Sequence, residues 1–352
     1  MAAAQAAPAH EQMAQPRRSR TRSGQELRSR TPALSVVIVN YRQWQPSADL
    51  VRAILASKPA RRGDVEVVIV DNHSPACRLA RRLRRWRSVS LRRWKRNRGF
   101  ARAVNEGCRL SQGHWILLLN PDVTIGPAFI EDAIQRAERR FAANSKAGVI
   151  GFGLRNSDGS HQLSTGDFPT LRATLSGLLL PRERRKYVRQ PLHQTSRVPW
   201  VTGCCWMVRR ACLEDVGGLD ERFFLYYEDV DFCRRARARG WSTWYDPSID
   251  IVHHQPLHRR TPSSAVRLFT RHALLTYASK HWPRWQFRML ARIVGLEAKL
   301  RTLKAQTRLD SLGILHYRKL GAIAGLLADK RAKAARRLLA EVAEKQEEQR
   351  GH

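Results

Sequence analysis

The sequence predicts an α/β protein built on a mainly parallel sheet with helices on both faces, and three observations predict it. Apolar, β-branched runs recur at residues 34–39, 65–70 and 115–119, each continuous rather than alternating, as strands buried on both faces are. Helical stretches separate them, and strands that alternate with helices imply a parallel sheet covered on both sides. Each run also stops at a polar group: Asn40, Asp71 and Asn120-Pro121-Asp122. Open α/β sheets bind ligands outside the carboxyl ends of their strands.

The elements follow in order. Residues 1–32 are rich in Arg and Ser and poor in apolar residues, which predicts a disordered basic arm. After the first strand a helix is expected over 47–57, and after the second a very basic helix over 78–86 and a short strand over 89–91. Residues 99–110 read as a helix with Phe100, Ala103, Val104 and Cys108 on its buried stripe. Beyond the third long strand, 149–151 reads as a short strand and Asp158-Gly159 as a hairpin turn. A basic, Pro-bounded flexible loop is expected over 181–197 and strand over 198–208. A short helix over 210–216 is stopped by Gly217-Gly218. An aromatic segment, 223–227, leads into Glu228 and a helix ending at Gly240. Strands are expected over 241–245 and 249–253, and basic helices from 261 onward. The domains are thus a basic arm over 1–32, a catalytic-type α/β domain over 33–256 and a helical extension over 257–352.

Composition narrows the partners. The chain has 352 residues and a formal net charge of +34, which attracts polyanions: nucleic acid, anionic lipid or phosphorylated small molecules. Its six cysteines include no CxxC pair, and adjacent Cys204 and Cys205 make a poor disulfide, which suits a reducing compartment. The N-terminus lacks the apolar stretch of a secretory signal. No apolar run reaches the roughly 18 residues that span a bilayer. A cytoplasmic protein, peripheral on the inner membrane, is expected. Trp282, Trp285 and Phe287 beside Arg284 and Arg288 are what a helix lying on a membrane surface needs. No RNA- or DNA-recognition motif is present, so no specific nucleic acid is expected. A basic nucleic-acid-binding protein without enzymatic activity is the alternative.

Four groups carry candidate chemistry. Asp122, on a turn stiffened by Pro121, can offer oxygen to Mg²⁺ or Mn²⁺, ions that leave positions for substrate phosphates. Asp71 can accept a hydrogen bond from a nucleobase or ribose, although an Asx turn or helix cap would explain it equally. Glu228, Asp229 and Asp231 form the densest acidic cluster of the chain, just after an apolar segment, a setting suited to a general base. Arg234 and Arg235 can instead pair with that cluster. His253 or His254, after the last strand, can complete a metal site begun by Asp122.

These stretches together resemble a known family. LSVVIVNYR (34–42), VVIVDNHS (67–74), NRGFARAVNEG (97–107), WILLLNPDV (115–123), VTGCCWMVRR (201–210), the segment 216–241 and IVHH (251–254) stand in the order seen in family 2 inverting glycosyltransferases of GT-A fold. The bacterial rhamnosyltransferase branch is the nearest likeness. The resemblance implies that Asp71 contacts the nucleobase and that Asn40, Tyr41 and Arg42 line the same pocket. It implies that residues from Asn97 through Gly99 to Asn105, with Asn120, wrap the nucleotide and diphosphate. Asn120-Pro121-Asp122 stands in for the family's acidic triplet, with Asp122 its one carboxylate. His253 would lie near the metal, Gly203 beside the sugar and acceptor, and Asp229 of the Glu228-Asp229 pair would be the catalytic base. The implied donor is a nucleotide-diphosphate sugar, dTDP-rhamnose. The implied acceptor is a glycan or a polyprenyl-diphosphate-linked sugar at an anionic inner-membrane surface.

Overall fold

Continuous burial along the first strands is the organising fact of the fold. The computed structural model describes residues 31–177, 193–254 and 262–349. The chain from Pro32 onward forms one compact unit. Its first strands are β1 (Leu34–Asn40), β2 (Val65–Asp71), β3 (Val89–Arg93) and β4 (Trp115–Leu119). They lie parallel in the order β3-β2-β1-β4, with Asn40 opposite Asp71 at the carboxyl edge.

The sheet then changes character. Its later strands are β5 (Val123–Ile125), β6 (Ala147–Arg155), β7 (His161–Gln162), β8 (Thr165–Gly166), β9 (Ser196–Val198), β10 (Trp200–Val201), β11 (Cys205–Arg209) and β12 (Ser242–His253). β11 runs antiparallel between β4 and β6, β12 runs parallel to β6, and β5 closes the edge antiparallel to β12. β7 and β9 pair antiparallel with β6 and β12, and β8 and β10 form a separate two-stranded ribbon. The sheet is mixed, with the parallel pairings of β1–β4 and of β6 with β12 predominating and β5, β7, β9 and β11 running antiparallel to their neighbours. The order of the runs announces which segments are strands, but a reversal such as β11 depends on where a connection returns.

Helices cover both faces: α1 (Trp44–Leu55), α2 (Lys58–Arg61), α3 (Arg78–Leu83), α4 (Phe100–Leu110), α5 (Phe129–Ala143), α6 (Leu171–Gly177), α7 (Arg210–Val216) and α8 (Glu228–Ala238). Strand alternation assigns the cores. Val36, Ile38, Val67 and Ile69 face α1 and α5 through Val51, Ile54 and Ala133, while Val37, Val39, Val68 and Val70 face α4 and α8 through Val104, Val230 and Phe232. The stripe expected on α4 is buried at Ala103, Val104 and Cys108, and Phe100 is half-buried. α1 begins at Trp44, three residues before the expected start, because Pro46 in a first turn lacks only a donor that is unbonded there anyway.

Other differences are local. Residues 241–245 and 249–253 are one long strand, β12, with a register shift between Asp246 and Asp250. Residues 198–208 are not one strand but β9, β10 and β11 with a turn at 203–204. Of the loop expected over 181–197, residues 181–192 lie outside the described residues, and Ser196 begins β9. The arm over 1–30 also lies outside them. α5 and β5 have no counterpart in the sequence reading.

Beyond residue 261 come α9 (Ser264–His281), α10 (Arg284–Thr307), α11 (Ser311–Ala328) and α12 (Ala332–Gln349). They share a core of Leu268, Leu275, Leu290, Val294, Leu320 and Leu339. No described helix is long and apolar enough to cross a membrane. The membrane-facing cluster expected at 282–287 is split by packing. The Trp282 indole N–H donates to the Pro169 carbonyl (2.8 Å) and Phe287 is buried, leaving Trp285 outward at 63% exposure.

Candidate functional site

The carboxyl edge of the parallel half is knitted together by side-chain amides. Asn40 is buried and uses its whole amide: Nδ2 donates to Asp71 (2.9 Å) and Ser74 (3.0 Å), and Oδ1 accepts from the Gln43 N–H and the Ser47 hydroxyl. Asp71 has no exposed surface. Its Oδ1 accepts from Asn40, and its Oδ2 accepts from Arg93 Nε (2.8 Å) and the Ser74 N–H (3.4 Å). Asn40 and Asp71 therefore anchor the two loops from beneath. Tyr41 and Arg42 are half-buried above them. Arg42 and His73, the turning residues of those loops, both hold left-handed backbone (φ 58° and 75°), uncommon outside glycine.

A second clasp lies alongside. Asn72 Nδ2 donates to Asn97 Oδ1 (2.8 Å), and Asn72 Oδ1 accepts from the Arg98 N–H. Gly99 (φ 92°) passes so close to Phe224 that an added Cβ would meet its carbonyl oxygen at 2.8 Å. Asn105 faces away from this cleft: its amide donates to the Leu219 carbonyl (2.8 Å) and accepts from the Leu219 N–H (2.9 Å). It clamps α4 to the turn after Gly217-Gly218.

The acidic turn after β4 meets the last strand. Pairing of β5 with β12 sets Val123 opposite His253 and brings His253 Nε2 to 3.5 Å from Asp122 Oδ2. Asp122 retains 14% side-chain exposure. His253 Nδ1 lies 3.1 Å and 3.2 Å from the two polar atoms of the Gln162 amide, which engages that ring nitrogen and leaves Nε2 turned toward Asp122. His254 turns elsewhere, toward Thr124 (2.8 Å) and Ser157 (3.1 Å). The alternative between the two histidines is thereby resolved geometrically: His253 faces Asp122. Burial pushes the neighbouring Cys204 thiol well up, so it stays protonated beside that carboxylate. Among the described residues no group of three His, Cys, Asp or Glu side chains is arranged to hold a metal ion by itself.

Glu228 and Asp229 open α8, where helix-terminal N–H groups favour negative charge. The two residues before them, Tyr226 and Tyr227, are both left-handed (φ 74° and 66°). Their segment is held by Phe224 stacking on Phe269 and Tyr227 against Tyr277. Asp229 accepts from the Gly203 N–H (3.0 Å) and the Val230 N–H (2.8 Å). The adjacent Cys204 carbonyl accepts from the Asn120 N–H (3.0 Å). One turn, Gly203-Cys204, thus touches both acidic corners. Asp231, two residues on, is spent inside the protein on Arg235 (2.8 Å), Lys280 and His281 (2.7 Å). Burial pushes its carboxyl up, but the hydrogen bond from His281 and the charges of Lys280 and Arg235 together hold it below the ordinary carboxylate range.

Sequence reasoning missed three members of this site: Arg93 and Ser74 beneath the first loops, and Gln162 behind His253. The hairpin turn at Asp158-Gly159 was the one available pointer to Gln162, since it folds β7 back beside β6.

The mixed sheet with helices on both faces is a GT-A fold. The fold matches the solved structure of GalNAc-T7 with UDP, GalNAc and Mn²⁺ at a TM-score of 0.51 and 16% identity, covering 72% of this chain and 51% of that one. The chain belongs to glycosyl transferase family 2, whose profile matches residues 35–217. It is 30% identical over 275 residues to the N-acetylglucosaminyl-diphospho-decaprenol L-rhamnosyltransferase of Mycobacterium tuberculosis, covering 73% of this chain and 87% of that protein. It is 28% identical to the low-salt glycan biosynthesis hexosyltransferase Agl10 of Haloferax volcanii, covering 67% and 72%, and 25% identical to the rhamnosyltransferase WbbL of Escherichia coli, covering 49% and 64%. The chain is a glycosyltransferase, and the nucleic-acid-binding alternative is set aside.

Proposed function

We propose that this glycosyltransferase moves L-rhamnose from dTDP-rhamnose to a hydroxyl of a polyprenyl-diphosphate-linked sugar in cell-envelope glycan synthesis, inverting the anomeric carbon. The observation that carries it is the Gly203-Cys204 turn, which ties Asp229 to the Asn120-Pro121-Asp122 corner: the Gly203 N–H donates to the Asp229 carboxylate and the Cys204 carbonyl accepts from the Asn120 N–H. A base and a diphosphate site joined by one rigid turn suit a single displacement. The relatives named for rhamnosyl transfer supply the sugar and the acceptor class.

In this reading Asp229 takes the proton of the acceptor hydroxyl, with Glu228 beside it as the second member of the acidic pair. The freed oxygen attacks the anomeric carbon as the bond to the diphosphate breaks, through a transition state with oxocarbenium character. The half-buried Tyr41, Arg42, Asn97 and Asn120 and the backbone at Gly99 line the nucleotide and diphosphate, while Asn40 and Asp71 hold that rim in shape. Asp122 and His253 suit a hard or borderline cation. The set joins one carboxylate to one imidazole whose other nitrogen is engaged, and donors about 2.1 Å from a common ion stand roughly 3 Å or slightly more apart. Mg²⁺ or Mn²⁺ there would offset the charge growing on the departing diphosphate. The lipid-linked acceptor puts the enzyme to work at an anionic membrane surface.

The test is transfer itself. Purified protein with dTDP-rhamnose, Mg²⁺ or Mn²⁺ and a short-chain polyprenyl-diphosphate N-acetylglucosamine should yield a rhamnosylated product whose anomeric configuration, read by NMR, is opposite to the donor's. A product of retained configuration would sink the single-displacement reading. Turnover with another nucleotide sugar but none with dTDP-rhamnose would overturn the donor.

A further inference from the structure

Helix α10 is packed on one face only. Phe287, Leu290, Ala291, Val294 and Ala298 join the core shared by the C-terminal helices, and α11 approaches so closely that a Cβ added to Gly321 would sit 3.6 Å from Ala298. The opposite face carries a second apolar stripe that no described residue covers. Trp285, Leu296, Leu300 and Leu303 fall within about 60° of one another at 100° per residue, so they form one line along the helix. They are 58–63% exposed, and Leu309, just past the helix, is 89% exposed. From Trp285 to Leu303 the line runs about 27 Å at 1.5 Å per residue. Large exposed apolar side chains concentrated on one element mark an interaction surface rather than scattered surface leucines.

The charge beside the stripe has one sign. Arg288, Arg292 and Lys299 are exposed along one flank and Lys304 along the other. Residues 284–328 contain two acids, Glu297 and Asp310. Glu297 is turned inward, accepting from Arg271 (2.7 Å) and Arg301 (2.8 Å), and Asp310 caps the Gly313 N–H (2.8 Å). An apolar line flanked by unneutralised cations matches a surface that is apolar below and anionic above. We infer that the Leu296-Leu300-Leu303 face of α10 docks on an anionic lipid surface, lying in the plane of the interface with its leucines in the acyl boundary. This assigns the membrane contact to the face that Trp285 shares with the three leucines, while Trp282 and Phe287 stay packed in the protein. It rests on the lipid-linked acceptor of the proposed function and names the surface that would deliver it.

The experiment separates the docking from the chemistry. Full-length protein is mixed with sucrose-loaded vesicles of phosphatidylcholine alone or mixed equally with phosphatidylglycerol, at low and moderate salt, and the pelleted fraction is measured. The wild type should pellet with the anionic vesicles. A variant carrying Leu296→Gln, Leu300→Gln and Leu303→Gln should bind them at least about tenfold more weakly, because apolar insertion and charge act together. The three leucines are outward-facing, so the variant's melting temperature and its transfer to a water-soluble acceptor should match the wild type's. Equal vesicle binding by variant and wild type would assign attraction to charge elsewhere and overturn the proposal. A wild type that leaves vesicles unbound but runs as a dimer, with the variant a monomer by light scattering, would reassign the stripe to contact between two copies.

Discussion

Asp71 and Asp122 leave the sheet at the same edge, one after β2 and one just beyond β4, yet they end in opposite circumstances. Asp71 is fully enclosed, with Asn40, Ser74 and Arg93 on its two oxygens. Asp122 keeps part of its carboxylate open, and it faces an imidazole nitrogen 3.5 Å away rather than a guanidinium in hydrogen-bond contact. A carboxylate at a strand end is therefore not a binding group by position alone. What decides is whether the neighbours consume its lone pairs. Asp71 spends them on holding two loops; Asp122 has them to offer.

Substitutions should break that pairing unequally. The largest effect is expected from Asp122→Asn, which should lower metal-supported kcat by roughly a thousandfold, the equivalent of several kcal/mol of lost charge stabilisation. Its melting temperature should hardly move, which a thermal scan beside an initial-rate assay would check. Asp71→Ala should do the reverse: a stability loss of about 1–3 kcal/mol from stranding Arg93 and the Asn40 amide, read by urea unfolding. If it cost activity but no stability, Asp71 would be a ligand-contacting group after all. Gln162→Ala leaves both acids intact and releases His253, so divalent-metal affinity should fall about 10–100-fold, measurable by titration calorimetry.

The smallest effect concerns pH. Asp231 resembles Asp71 in being enclosed, and its folded-state pKa lies below its ordinary value. A group depressed in this way stabilises the fold above the unfolded-state pKa, near 3.8, and loses that contribution as pH falls through its lower folded value. Asp231→Asn should therefore flatten the acid limb of stability below about pH 4, seen as a shallower decline in melting temperature with falling pH.

The same contrast marks what was legible in sequence. The continuous runs that become β1, β2 and β4 declared a sheet buried on both faces, and their polar stops located the functional edge. The helical stripe of α4 and the glycine stop of α7 were equally plain. α5 carries Phe129, Ala133, Ala137 and Phe141 every four residues, a stripe that is itself legible as a helix packed on one side. β5 is three residues long and exists only because β12 pairs with it, which no local pattern announces. Side-chain roles were least legible where a residue's partner is far along the chain. Asn105 meets Leu219 and Asp71 meets Arg93, and residue type at a strand or helix end cannot say whether such a partner will arrive. His253 was chosen over His254 by the register of β12 on β5, a long-range fact as well.

The direct test of the contrast between the two carboxylates is calorimetric binding of a nucleoside diphosphate, dTDP, to wild type, Asp122→Asn and a folded Asp71→Asn variant, each with and without Mn²⁺. Wild type should bind much more tightly when Mn²⁺ is present, Asp122→Asn should lose that Mn²⁺-dependent gain, and Asp71→Asn should retain it. A gain that survives in Asp122→Asn and vanishes in Asp71→Asn would contradict the account.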